Sequence, residues 1–169
     1  GQFWLNLSSV GKTRIPTYSV ISDKQLAKRI IGNKGSYLKI IVGNYEELSS
    51  PIPLENRQLL LHAHLKSGDS VNIALVESDQ YAAYVLEGKL EIANECLETH
   101  QQGHLYDKIK SVNIRAEKDT DLFFYGGQAY LEPVVASGPF IMNNQTEIVT
   151  AYREYQQGKY GKIDYSKIG

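Results

Sequence analysis

The sequence predicts an all-β protein, a sandwich or a barrel, with one short α-helix near its carboxyl end. Most apolar residues fall in short runs that alternate with polar residues, and turn residues separate these runs. This pattern is typical of strands that bury one face. Near the end of the chain the apolar spacing changes from that of a strand to that of a helix.

The predicted strands follow one another through the middle of the chain. We place them at 39–42, 59–65, 71–75, 81–86, 90–92, 112–115 and 122–125. Gly88 is predicted to form a tight hairpin that joins 81–86 to 90–92. The run 122–125 is continuously apolar, which predicts a strand buried on both faces and ended by Gly126 and Gly127.

A helix is predicted at about 145–157, laid against the sandwich. Asn144 can cap its first turn, and Glu147 stands three residues later as the reciprocal partner. Gly158 is placed to end it. One face of this helix would carry Ile148, Ala151, Tyr152 and Tyr155.

The composition indicates one globular domain, 1–169, with 42% hydrophobic and 22% charged residues. A net charge of −1 gives no electrostatic reason to expect nucleic acid or a membrane surface as partner. No apolar run approaches the roughly 20 residues of a membrane span, and no signal peptide is evident. Because Cys96 is alone, neither a disulfide framework nor a cysteine-based zinc site is expected, and we predict a cytoplasmic location.

The amino end reads as the middle of a longer protein. Position 1 is Gly, and residues 3–7 already have the character of a strand. Native ends are more often polar and frayed. We therefore expect the chain to be a fragment or a processed product.

Three segments near the carboxyl end resemble motifs of the pirin family. The segment 126–135 has paired glycines followed by Glu-Pro-Val, and Gly-Pro-Phe-Ile-Met-Asn follows at 138–143. Tyr-Gln-Gln-Gly-Lys-Tyr-Gly at 155–161 resembles the family's closing element. Leu-Asn-Leu at 5–7 and Ile-Pro-Thr-Tyr at 15–18 look like the stretch that opens the second half of pirins. The resemblance covers essentially the whole chain.

Pirins are two-domain cupins, so the resemblance implies that residues 1–169 are the C-terminal cupin, a cupin-type double-stranded β-sandwich or barrel. In the family, iron is held in the N-terminal cupin by three histidines and a glutamate. Quercetin 2,3-dioxygenase activity has been attributed to that site, and a transcription-cofactor role to mammalian members. Since the N-terminal cupin is absent from this chain, we expect no cofactor here and Fe(II) only in the missing domain.

The sequence of this chain shows no cupin metal site of its own. Such a site needs two histidines with one residue between them on a strand, a glutamate a few residues later and a third histidine one hairpin further on. The strand that should carry them, 71–76, reads Val-Asn-Ile-Ala-Leu-Val, and the carboxylate position falls near Gln80 or Tyr81. The strands from 112 to 125 also lack histidine. We predict an interior filled with hydrocarbon and no catalytic, cofactor-binding or metal-binding residue.

His62 and His64, with Asp69 five residues later, imitate the metal motif one strand too early. The residues that alternate with them are all apolar: Leu59, Leu61, Ala63 and Leu65. This apolar face is the better core face, so the two histidines should point to solvent or to a packed partner. They are the weak surface candidates for a metal, while His100 and His104 are interpreted as surface histidines.

Gly11-Lys12-Thr13 is similar to the end of a phosphate-binding loop. That motif requires another glycine at position 6, where Asn6 stands, and a helix directly after the loop. Pro16 and the lack of a following helix pattern argue against it. We therefore predict no phosphate site here.

Three functions remain open. The first is a scaffold and interaction module for a metal-bearing N-terminal cupin, with that cupin, a second copy of this chain or another protein as partner. The second is the non-catalytic part of an iron-dependent quercetin 2,3-dioxygenase-like enzyme, so that the chain alone is not an enzyme. The third is a metal-independent small-molecule-binding cupin. Its pocket would be lined by Tyr84, Phe123, Phe124 and Tyr125.

Overall fold

A computed structural model of the chain describes residues 2–15, 18–106 and 109–161. Gly1 and the middle of the predicted motif at 15–18 lie outside the described residues. The chain divides into two compact units: Thr17–Ala129, the sandwich unit, and Gly1–Pro16 with Tyr130–Gly169, the helix unit. The assignment of 1–169 to a single domain stays a prediction.

The sandwich unit contains twelve described strands and one 3-10 helix, Asp23–Gln25. The strands are β1 Lys28–Ile31, β2 Ser36–Val42, β3 Asn44–Tyr45, β4 Leu48–Ser49, β5 Gln58–Leu65, β6 Ser70–Ala74, β7 Asp79–Glu87, β8 Lys89–Ile92, β9 Glu95–Glu98, β10 Gln102–Leu105, β11 Ser111–Ala116 and β12 Thr120–Gln128. The two large sheets have the orders β1-β2-β5-β12-β7-β10 and β6-β11-β8-β9, and β3 and β4 form a separate two-stranded sheet. The pairings among these strands are antiparallel, which confirms the all-β sandwich.

The core lies between these two sheets and follows from strand alternation. In β6 and β11 every second residue is buried, as the apolar–polar pattern predicts. The fully buried side chains from both sheets include Leu38, Ile40, Leu61, Leu65, Ile73, Val85, Leu90, Ile114, Leu122 and Phe124. Their burial removes apolar surface from water, the main favourable term in folding.

The hairpin predicted at Gly88 is wrong. The strands on either side of it, β7 and β8, belong to different sheets, so Gly88 is a corner where the chain crosses from one sheet to the other. Gly88 has φ +103°, and a Cβ there would lie 2.3 Å from the Asp119 carbonyl oxygen. Beside it, the buried Thr120 hydroxyl accepts a hydrogen bond from the Lys89 N–H at 3.0 Å. A glycine turn between two strands gives the same local signal for a hairpin and for a corner between two sheets. The strands with which β7 and β8 pair decide which of the two forms.

Strand β12 also differs from its prediction. Leu122 and Phe124 are fully buried, but Phe123 and Tyr125 on the other face are half-buried. The strand continues through the paired glycines to Gln128. A Cβ at Gly126 would lie 2.1 Å from the Gln80 carbonyl oxygen, so glycine allows neighbouring backbones to approach here. The paired glycines therefore have a backbone role here.

The helix unit contains a 3-10 helix, Gly11–Thr13, the hairpin strands β13 Val135–Ser137 and β14 Phe140–Met142, and α1 Gln145–Gln156. Residues 3–7, predicted as a strand, have no regular secondary structure. The helix lies where it was predicted. The Asn144 side chain accepts from the Glu147 N–H at 2.9 Å, and the Glu147 carboxylate accepts from the Asn143 N–H, one residue earlier than expected.

The carboxyl end of α1 is closed by a Schellman motif. The Lys159 N–H donates to the Glu154 carbonyl and the Gly158 N–H donates to the Tyr155 carbonyl, at 3.0 and 2.9 Å. Ile148 and Ala151 are buried where α1 packs on β13 and β14, but Tyr152 and Tyr155 are exposed. Packing of α1 against the sandwich stays a prediction. None of the helices in the described residues has the length and apolarity needed to cross a membrane.

Candidate functional site

The strands on which metal ligands were looked for, β6 and β11, turn apolar side chains into the core. On β6, Val71 and Ile73 are buried and Asn72 is exposed. On β11, Val112 and Ile114 are buried in the same way. Donor atoms for a metal do not come from these side chains, because hydrocarbon has no lone pairs to offer.

Tyr81 fills the expected carboxylate position. Its side chain is buried, and its ring stacks on Phe124 with centroids 5.7 Å apart. Its hydroxyl accepts a hydrogen bond from the Val76 N–H at 3.2 Å. Burial raises the pKa of Tyr81, so the phenol stays neutral at physiological pH. Gln80, the other candidate for this position, is exposed.

Sequence reasoning missed an ion pair beside Tyr81. The side chain of Asp79 is 1% exposed, and Arg57 Nε and Nη2 donate to its two oxygens at 2.8 and 2.6 Å. The Arg57 hydrogen bond holds the pKa of the Asp79 carboxyl below its usual range. A two-point Arg–carboxylate pair fixes geometry as well as charge. With both oxygens bound by Arg57, Asp79 acts as a structural group at this end of the sandwich.

His62 and His64 lie on the β5 face opposite the core, as strand alternation predicts, but they do not point freely to solvent. Their side chains are 19% and 21% exposed. Both contact one carboxylate: His62 Nε2 lies 2.9 Å from Asp121 Oδ1, and His64 Nδ1 lies 3.0 Å from Asp121 Oδ2. Asp121 is on β12, directly opposite His64 in the sheet. Asp69, the acid in the predicted motif, instead accepts from the Ser36 hydroxyl at 2.6 Å.

Aromatic rings pack around this His62–Asp121–His64 cluster. Tyr37 stacks on His64 with centroids 5.4 Å apart and meets His62 edge-on at 5.6 Å. Phe123 lies 5.7 Å from the His62 ring. These contacts hold both imidazoles in place. Within the described residues, no group of three or more His, Cys, Asp or Glu side chains is arranged to hold a metal ion.

The two other histidines are exposed, in agreement with their interpretation. His100 stacks beside Tyr84 and has φ +67°, while His104 lies in β10 and stacks on Tyr106. The strand that carries His104, β10, is not among the predicted strands. Neither histidine contacts the cluster on β5 in the hydrogen bonds and ring contacts of the described residues.

The aromatic side chains expected to line one pocket are divided between two faces. Phe124 is buried in the core, whereas Phe123, Tyr84 and Tyr125 occupy the other face of the six-stranded sheet. The cause is strand alternation, which sends neighbouring side chains in opposite directions. A shared pocket of these four residues does not exist in this fold.

The helix unit contains a polar network that the sequence did not reveal. Lys12 Nζ donates to the Tyr130 hydroxyl at 3.1 Å and to Asn143 Oδ1 at 2.9 Å. The Asn143 amide also donates to Glu132 at 2.8 Å, and Glu132 accepts from the Ser9 N–H at 2.9 Å. Lys12 therefore binds groups of the protein itself, which supports the prediction that this segment is not a phosphate loop.

A groove with a volume of about 1080 Å³ lies within the helix unit. One face of α1 forms one side of it, and residues 12–15 form another. Its walls are mixed: apolar Ile15, Met142 and Ala151 stand beside charged and hydroxyl side chains. A concave surface of this size and composition can receive part of a ligand or of a protein partner.

Lowering the pH below about 6.5 is expected to destabilise the sandwich unit through His62. Burial lowers the pKa of His62, and the Asp121 hydrogen bond opposes this only in part. The unfolded chain then takes up the proton more readily than the folded chain, so stability falls as pH falls through this window. His62→Gln, which keeps a donor but does not titrate, should flatten urea-unfolding stability between pH 7 and 5. An unchanged slope would show that His62 does not carry this dependence.

The fold of this chain matches that of known proteins. The solved structure of a quercetin 2,3-dioxygenase from Acinetobacter baumannii superposes with a TM-score of 0.88 at 26% identity, over 95% of this chain and 56% of that one. The chain therefore has the cupin fold. The model of the Pirin C-terminal cupin domain matches residues 60–161, and the chain belongs to this family.

The curated relatives extend well beyond the part that this chain matches. Pirin-like protein 2 of Arabidopsis thaliana is 30% identical over 169 residues, covering 95% of this chain and 52% of the relative. A protein of Pseudomonas aeruginosa named putative quercetin 2,3-dioxygenase is 25% identical over 159 residues, covering 94% and 56%. The chain thus spans about half the length of the curated relatives it matches, and corresponds to their C-terminal half.

Proposed function

We propose that this chain is the metal-free C-terminal cupin of a pirin-type bicupin, and that it acts as a scaffold and interaction module for a metal-bearing N-terminal cupin. The observation that carries the proposal is the apolar interior of the sandwich. Where ligands would converge, the described chain has Val71, Ile73, Tyr81 and Phe124. Buried side chains of this kind stabilise the fold and offer iron no ligand set.

The polar groups of the described core support the same conclusion. Among the described residues, Ser36 and Thr120 are the polar residues that are buried as a whole, and each hydroxyl accepts a hydrogen bond from a backbone N–H. The nearly buried carboxylate of Asp79 is bound through both oxygens by Arg57. His62 and His64 lie on the face of the sheet that points away from the core, where Asp121 holds both. The exposed free thiol of Cys96 supports a reducing compartment such as the cytoplasm for this domain.

Metal analysis tests the proposal. The chain is loaded with Fe(II), desalted and assayed for iron, alone and mixed with the N-terminal half of Pirin-like protein 2 from Arabidopsis. We expect far less than one iron per chain alone, and iron in the mixture only with the added half. One tightly bound iron per isolated chain would overturn the metal-free assignment. Retention of that iron in His62→Gln and His64→Gln would place it away from the β5 cluster.

A second candidate is that the whole protein is an iron-dependent quercetin 2,3-dioxygenase and this chain its non-catalytic part. The names of the Pseudomonas relative and of the Acinetobacter structure favour this candidate. It is compatible with the first, because a catalytic N-terminal cupin would still need its C-terminal half. Flavonol consumption assayed on the Fe(II)-loaded chain should be absent, and turnover by the chain alone would contradict both candidates.

A further inference from the structure

We propose that the chain holds its N-terminal cupin through one surface of the helix unit, the aromatic face, formed by Phe140, Tyr152, Tyr155 and Tyr160. This inference rests on the proposed function and names the surface which that function uses. It commits to one occupant, the N-terminal half of a pirin-type bicupin.

Exposed apolar side chains are concentrated in the helix unit. Of its 46 described residues, 12 are large hydrophobic side chains exposed to solvent, against 5 of the 110 described residues of the sandwich unit. The twelve are Phe3, Trp4, Leu5, Leu7, Val10, Ile15, Leu131, Val134, Val149, Tyr152, Tyr155 and Tyr160. Single exposed hydrophobic residues are ordinary, but clusters of them mark interaction surfaces.

The aromatic face is built to be rigid. Tyr152 meets the Phe140 ring edge-on with centroids 5.0 Å apart, and Tyr155 and Tyr160 lie 6.3 and 6.0 Å from the same ring. The Asn144 cap and the Schellman motif fix both ends of the helix that carries Tyr152 and Tyr155. Rigid tyrosines lose little entropy on binding and dominate interface energies.

The groove beside this face gives the partner a place to insert. Tyr160 belongs to both, since it lines the groove and contacts Phe140. The groove also carries Lys12 and Arg14 on one side and Glu147 and Glu154 on the helix. A groove lined by apolar side chains together with charged residues of both signs has a composition that a protein partner can match.

The occupant follows from the relatives. They continue for nearly as many residues again before the part that this chain matches, and that preceding half is the expected partner. A permanent partner explains why the helix unit exposes so much apolar surface, because obligate interfaces resemble a core cut in half. A second copy of this chain could cover the same face, and self-association is therefore measured as a separate outcome.

Hydroxyl-radical footprinting read by mass spectrometry tests the surface. The chain is oxidised alone and in a mixture with the N-terminal half of Arabidopsis Pirin-like protein 2. We expect Tyr152, Tyr155 and Tyr160 to be oxidised in the chain alone and protected in the mixture. Tyr106, an exposed tyrosine of the sandwich unit, should be oxidised in both. Tyr155→Glu should weaken binding about 10- to 30-fold, as for a hot-spot residue, and the control Tyr106→Glu should not.

The outcomes separate the two proposals. A complex that protects Tyr106 and leaves Tyr155 reactive overturns the aromatic face while the scaffold function survives. If no complex forms with the Arabidopsis half, and Tyr152, Tyr155 and Tyr160 also stay equally reactive in an intact bicupin that contains this chain, the scaffold function itself is contradicted. If sedimentation shows that the chain alone forms a dimer that Tyr155→Glu dissociates, and the N-terminal half does not bind, the occupant is a second copy and the committed partner is wrong. Circular dichroism of both variants confirms that the fold is kept.

Discussion

Replacing Gly88 with alanine should lower the free energy of unfolding by about 4 kcal/mol, combining backbone strain and overpacking. Gly88 has φ +103°, which L side chains rarely adopt. The added Cβ would also lie 2.3 Å from the Asp119 carbonyl oxygen and 2.7 Å from Thr120 Cα. These atoms are backbone at the start of β12, a central strand, so they cannot move without disturbing the sheet.

Gly35→Ala is the matched control. Gly35 has φ +96°, close to that of Gly88, but a Cβ added there would meet no other atom within 4 Å. It should therefore show the strain alone, about 1–2 kcal/mol. Urea unfolding followed by far-UV circular dichroism measures both variants. Equal losses for the two glycines would mean that the corner at Gly88 is not closely packed.

Local patterns predicted much of the fold because they report which face of each element is buried. The alternation in β6 and the cap at Asn144 both depend on residues only a few positions apart in the chain, and both are observed. The choice of partner strand is not local. The hairpin at Gly88 was mispredicted because β7 pairs with β12 and β10, strands that lie well after it in the chain.

The same limit explains what was missed around the candidate site. The face of His62 and His64 could be predicted from β5 alone, but their partner Asp121 lies 59 and 57 residues away. Arg57 and Asp79 are 22 residues apart, and Lys12 and Asn143 are 131 apart. Neither pair has a spacing signal, since both are brought together by the folded backbone. For Arg57, Asp79 and Asp121 the sequence offers one sign, since each is a charged residue just before a predicted strand.

The apolar filling of the sandwich makes Phe124→Ala the second large expected effect, a loss of about 4 kcal/mol in the free energy of unfolding. Phe124 is fully buried and stacks on Tyr81, so its removal leaves a cavity as well as lost burial. Phe123→Ala, one residue earlier and on the half-buried face, should lose about 1–2 kcal/mol. If Phe124→Ala does not fold, Phe124→Leu and Phe123→Leu give the same comparison at smaller cost.

Phe124→Ala, compared with the original chain, also tests whether the interior can hold a ligand. The cavity left by Phe124→Ala would be apolar and dry, and such cavities bind small apolar molecules. Benzene should therefore raise the melting temperature of Phe124→Ala and leave that of the original chain unchanged. Stabilisation of the original chain by benzene would show that its interior already has room, and would favour the small-molecule-binding cupin over the scaffold. Equal losses for Phe123→Ala and Phe124→Ala would contradict the assignment of faces on which the apolar interior depends.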